Sequence, residues 1–120
     1  MPSKAEHLAK AESNERLSIQ LRSGPDPAWS VTILFYAALH LVEATLAPHG
    51  HSPNHSARLA TIRFDRRFRP VQAEYRFLYD LSLRARYDCR PFNEQDVQAI
   101  YDAYYEPIKR HLQPLLGFSF

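Results

Sequence analysis

The chain has 120 residues, 45% hydrophobic and 23% charged, with a net charge of +2 and an isoelectric point near 8.8. That composition suits one globular domain, residues 1–120, with one core, and excludes a disordered or highly charged chain. The single cysteine, Cys89, excludes an internal disulfide framework and any multi-cysteine metal site. Residues 1–10 are polar and lack the apolar stretch of a secretory leader, so a cytoplasmic location is expected.

The spacing predicts a first helix over residues 3–22, opened by a capping-box pattern of Ser3 with Glu6. Its stripe of Leu8, Leu17, Ile19 and Leu21 is weakly apolar and predicts a helix on the outside of the bundle. Gly24, Asp26 and Pro27 suit a helix end, an N-cap and a first helical position.

Residues 28–47, AWSVTILFYAALHLVEATLA, form the most apolar run of the chain. At about 100° per residue, Phe35, Leu39, Val42 and Leu46 share one face, and Leu34, Ala38, Leu41 and Thr45 the next. The polar seam is Thr32, Tyr36, His40 and Glu43. The run is long enough to span a membrane, yet a charge at mid-bilayer is costly, so it reads as a buried core helix.

A short third helix is expected over residues 53–64, with Ser52 as its N-cap and Leu59 and Ile62 inward, followed by a connector at 65–69. Pro70 would open a fourth helix that ends between Arg86 and Cys89. It places Val71, Tyr75, Leu78 and Ser82 on one face and Phe77, Leu81 and Arg84 on another. Asn93 caps a fifth helix carrying Val97, Ile100, Tyr104 and Ile108, with a kink expected at Pro107. The apolar tail at 118–120 is available to dock on the body or on a partner. No strand-like alternation competes with these helical periods. The expected fold is therefore all-α, an antiparallel up-and-down bundle of about five helices.

Charge is distributed unevenly. Arg58, Arg63, Arg66, Arg67, Arg69, Arg76, Arg84, Arg86 and Arg90 crowd the middle of the chain, and a locally basic region attracts phosphate. His40, four residues after Tyr36 and three before Glu43, is a candidate acid/base or nucleotide contact, against a plain core histidine. His55 and Arg58 are three apart on one helix and can meet a phosphate together. Arg84, Arg86, Tyr87 and Asp88 close the fourth helix. Arg86 and Arg90 form a basic stripe there, with Tyr87 as a stacking ring. His49, His51 and His55 lack a cysteine or a nearby carboxylate, so no metal site is expected. Ser30, Ser82 and Cys89 lack a base and an orienting group at readable spacing, and no cofactor motif is present.

The strings WSVTILFYAALHLVEA at 29–44, PHGHSP followed by NHSAR to Arg58, SLRARYD at 82–88 and FNEQDV at 92–97 together resemble the HEPN superfamily (higher eukaryotes and prokaryotes nucleotide-binding). The resemblance covers about residues 3–111. It implies a helical bundle, commonly homodimeric, whose active members cut RNA without metal and often act as toxins beside an antitoxin or in phage defence. Other members are binding or structural modules. The active members carry Arg, four to six residues, then His, near the end of the helix that matches residues 73–89. No arginine here precedes a histidine at that spacing, and Ser82 stands where the motif arginine would fall if Tyr87 and Asp88 match the family's Tyr-Asp.

The resemblance therefore implies an RNA- or nucleotide-binding domain, degenerate or atypical as a ribonuclease. Tyr36, Arg58, Ser82, Arg84, Arg86, Tyr87 and Asp88 would meet the nucleic acid, and His40 and His55 are the acid/base candidates, with His40 expected to reach Ser82 or Arg86. Two other readings stand beside it. One is a non-catalytic interaction or dimerisation module; the other is an active metal-independent ribonuclease with a non-standard His/Arg site.

Overall fold

The computed structural model describes residues 2–47, 49–50, 52–89 and 91–120. The expected histidine and arginine at 51 and 90, and the helix-ending proline at 48, lie outside them. Six α-helices follow in order: α1 Lys4–Leu21, α2 Ala28–Leu46, α3 His55–Phe64, α4 Gln72–Tyr87, α5 Glu94–Ile100 and α6 Glu106–Leu116. A 3₁₀ turn, Arg66–Val71, joins α3 to α4, and a π turn, Tyr101–Tyr105, joins α5 to α6. With α5, the π turn and α6 taken as one rod, the described residues form an all-α bundle of five rods with no strand.

α2 is the central helix. Val31, Leu34, Phe35, Ala37, Ala38 and Leu41 are fully enclosed. α1, α4 and the α5–α6 rod all pack against it. Burying each large apolar side chain here contributes roughly 1.5–3 kcal/mol. α2 is also the one helix among the described residues long and apolar enough to cross a membrane, and 72% of that stretch is buried in the body. Pro27, rather than Asp26, takes its N-cap position.

α1 lies on the outside of the bundle, as expected, but the face it buries is not the expected stripe. It packs along α2 more extensively than any other pair of helices. The face it buries is His7, Ala11, Asn14, Glu15 and Ser18, while Leu17 and Ile19 point to solvent. This polar face is tolerated because its groups find partners, as buried polar groups must. Ser18 Oγ donates to the Ser30 carbonyl at 2.9 Å, and Ser30 Oγ donates to the Ser18 carbonyl at 2.6 Å. Glu15 accepts from the Tyr101 hydroxyl at 2.9 Å, the Tyr105 hydroxyl at 3.2 Å and Lys109 Nζ at 2.7 Å. That carboxylate fastens α1 to the C-terminal rod.

α3 begins two residues later than expected. Asn54, not Ser52, is its N-cap, with Oδ1 accepting from the Ala57 amide at 2.8 Å. Pro70 sits inside the 3₁₀ turn, so α4 starts at Gln72. Val71, Tyr75, Leu78 and Ser82 are buried as their spacing predicts, and Phe77 and Arg84 are exposed. The break expected at Pro107 is taken up by the π turn just before it. A proline lacks the amide donor and crowds the carbonyl four residues back, and a wider turn relieves both. α6 ends on Gly117 in the left-handed region, φ 73°, with its amide donating to the Gln113 carbonyl at 2.8 Å. The tail docks on the body: Phe118 stacks on Phe120 at 4.5 Å, and Lys109 lies over the Phe120 ring.

Candidate nucleic-acid interface

The polar seam of α2 divides among three neighbours. Tyr36 faces the C-terminal end of α4, His40 faces α1 and Glu43 faces α3.

Glu43 anchors α3. Its Oε1 accepts from Arg58 Nε at 2.7 Å, and its two oxygens accept from the Ser52 amide at 3.3 and 3.2 Å. Both partners are buried, with side chains 3% and 8% exposed. Arg58 also donates from Nη1 to His55 Nδ1 at 3.1 Å. The Arg58 guanidinium is therefore committed to holding α2 and α3 together and orienting His55, away from the surface where a nucleic acid would lie.

An arginine only donates, so His55 Nδ1 is an acceptor and the neutral ring carries its proton on Nε2. Burial, then the charges of Arg58 and Arg86, lower the His55 pKa and keep it neutral at pH 7. Its ring packs against Phe35 at 5.8 Å and Tyr79 at 5.4 Å. Phe35 in turn meets Tyr75 and Tyr79. Burial also pushes the Tyr75 phenol well above its usual range, so it stays protonated.

Arg86 forms the second half of the site. Nη1 donates to the Tyr36 hydroxyl at 3.0 Å. Its guanidinium carbon lies 5.7 Å from the Tyr36 ring centre and 5.6 Å from that of Tyr87. The guanidinium thus sits between two aromatic rings, an arrangement that favours a cation by roughly 0.5–2 kcal/mol. Its Nε is buried and has no hydrogen-bond partner among the described residues. Thr32, one turn before Tyr36 on the same seam, likewise buries Oγ1 without a partner there. Around this cation, Arg84, Tyr87 and Asp88 are exposed, Tyr87 by 72%.

His40 and Ser82 are placed elsewhere. His40 Nδ1 meets His7 Nδ1 at 3.0 Å, with ring centres 5.2 Å apart, instead of reaching Ser82 or Arg86. Burial, followed by the charges of His7, Lys10 and Arg58, lowers the His40 pKa to about 4. Ser82 is fully buried in α4 and donates to the Tyr79 carbonyl at 2.7 Å, so it presents no surface to a nucleic acid. No group of three potential metal ligands comes together among the described residues.

The structure thus gathers Tyr36, His55, Arg58 and Arg86 at the α2–α3–α4 junction, with Tyr87 beside Arg86, while Arg84 and Asp88 are exposed at the end of α4. Sequence reasoning missed the Glu43–Arg58 pair and the His7–His40 contact. His7 gave no signal, standing alone on a polar helix 33 residues away. Comparisons with protein-family models, with curated proteins and with solved structures return no match for the chain.

Proposed function

We propose that the chain is a HEPN-like domain that binds single-stranded RNA or a nucleotide at the C-terminal end of α4. What supports the reading first is the sequence resemblance, for which an all-α bundle is the implied fold class. The observation that carries it is the half-buried Arg86 guanidinium, which lies 5.7 Å from the Tyr36 ring centre and 5.6 Å from that of Tyr87 and pairs with no carboxylate among the described residues. A cation with no counter-ion at the end of a helix attracts an incoming phosphate, to which a guanidinium makes charge-assisted hydrogen bonds. Exposed Tyr87 offers a face for a base, Arg84 a second phosphate contact and Asp88 an acceptor for a ribose or base donor.

The chemistry favours binding over cleavage. A general base needs a free lone pair near the reacting hydroxyl. His55 Nδ1 already accepts from Arg58, and His40 faces α1 against His7, away from Arg86. His55 is left with Nε2–H, a donor suited to an anionic or hydroxyl oxygen.

The test uses a fluorescein-labelled single-stranded RNA and the full chain, with anisotropy as the readout. Binding at low salt that weakens at least tenfold in Arg86→Ala and in Tyr87→Ala supports the reading; unchanged affinity in both refutes it. Competition by a mononucleotide separates a nucleotide site from one that needs a strand. RNA cut in the presence of chelator, with the cutting lost in His55→Ala, would replace the binding reading with the metal-independent ribonuclease. The homodimer implied by the resemblance is read by light scattering.

A further inference from the structure

A second feature lies away from Arg86. Between α3 and the start of α4 runs an open groove of about 480 Å³. Leu59, Ile62 and Ala73 line it, and Phe64 leaves 76% of its surface in water. Phe64 extends the apolar lining onto the surface as one continuous patch, and contiguous apolar patches mark interaction sites.

The rim is cationic. Arg63 and Arg76 line the groove, and the 3₁₀ turn at its end exposes Arg66 and Arg69. Arg63 lies over the Phe64 ring at 5.3 Å and has no carboxylate within ion-pair distance among the described residues. Arg76 meets Asp80 at 3.5 Å, an exposed pair worth little.

We infer that this groove docks an amphipathic helical segment of another protein, with apolar anchors on one face and carboxylates beside them. The apolar floor asks for hydrophobic anchors, and the arginine rim asks for negative charge. RNA carries no aliphatic side chain to fill the floor of Leu59, Ile62 and Ala73, which favours a peptide. A second copy of the chain fits poorly. Its other large exposed apolar residues, Leu17, Ile19, Trp29, Tyr87 and Leu115, do not form a stripe flanked by carboxylates. This inference does not depend on the RNA site.

The experiment selects binders to the full chain from a phage-displayed library of random helical peptides, then measures them against Ala73→Glu. Ala73 is exposed in the groove and lies in the first turn of α4, where an acidic residue suits the helix. The substitution therefore blocks the groove and spares the core; the circular dichroism of the variant is checked alongside. Enriched peptides are expected to place Leu, Ile or Phe at i, i+3 or i+4, and i+7, with a net negative charge. They should lose at least tenfold affinity for Ala73→Glu and for Arg63→Glu/Arg76→Glu. Basic or neutral winners, winners that bind Ala73→Glu equally well, or no winners overturn the inference. A dimer that Ala73→Glu converts to monomer overturns it as well, by placing a second copy in the groove. RNA binding lost in Ala73→Glu does the same in favour of nucleic acid.

Discussion

Replacing Arg58 with alanine strips a buried carboxylate of its cation. Among the described residues, Glu43 would keep only the Ser52 amide as a donor, at 3.2–3.3 Å, in surroundings that leave its side chain 3% exposed. Breaking a buried pair by removing one partner costs roughly 3–5 kcal/mol, against about 5–15 kcal/mol for the stability of a whole domain. For a chain of this size, each 1 kcal/mol moves Tm by roughly 3–5 °C, so Arg58→Ala should melt about 10–20 °C below the parent. Urea titration gives the free energy directly. The double variant Glu43→Leu/Arg58→Met removes both charges and should recover most of the loss, because apolar replacement of a buried pair is often neutral. The two singles and the double therefore form a cycle that isolates the pair. The local consequence is separately visible. The Arg58 charge helps to lower the His55 pKa, so the His55 titration followed by NMR should move upward in Arg58→Ala. An Arg58→Ala variant within about 1 kcal/mol of the parent would refute the reasoning, since that is the range of an exposed pair.

The remaining predictions concern pH and the polar face of α1. The His40 pKa is depressed from 6.5 to about 4, so the unfolded chain binds the extra proton first. Its stabilising contribution is complete above pH 6.5 and is lost as pH falls toward 4; His40→Leu should flatten that limb in urea titrations at pH 7 and pH 5, and an unchanged slope would contradict the assignment. Ser30→Ala should cost roughly 0.5–1.5 kcal/mol by removing the hydroxyl that donates to the Ser18 carbonyl, and Ser18→Ala/Ser30→Ala should cost less than the sum of the singles. Strict additivity would show that the two serines do not act as a pair. Glu15→Ala should release the α5–α6 rod from α1, seen as faster amide exchange in α6 by mass spectrometry; unchanged exchange there would show that the rod is held by its apolar face alone.

What was legible in the sequence follows the apolar pattern. α2 was readable because it is apolar nearly all round, with one polar seam, and the buried face of α4 because Val71, Tyr75, Leu78 and Ser82 keep a helical period. α1 was misjudged on its buried face for the converse reason. Its buried residues are polar, and their partners, Ser30, His40, Tyr101, Tyr105 and Lys109, lie 12 to 94 residues away. Periodicity reports hydrophobicity, and a satisfied polar interface carries none. The start of α3 slipped because Ser52-Pro53 and Asn54 are both plausible caps, and the choice is settled by the Ser52 amide being drawn to Glu43. At the site, the i, i+3 spacing of His55 and Arg58 did put them on one face, but as joint partners of a phosphate; it did not predict that Arg58 donates to His55 itself. It could not predict that Glu43 takes the guanidinium, or that Tyr36 rather than His40 reaches Arg86.

The central claim is that Arg86 meets phosphate. It is tested most directly by the salt dependence of single-stranded RNA binding in the parent and in Arg86→Ala. Two phosphate contacts, through Arg84 and Arg86, predict a slope of log K against log salt of about −1.4 in the parent, reduced by about 0.7 in the variant. An identical slope in the two proteins, or no binding at low salt, would contradict it.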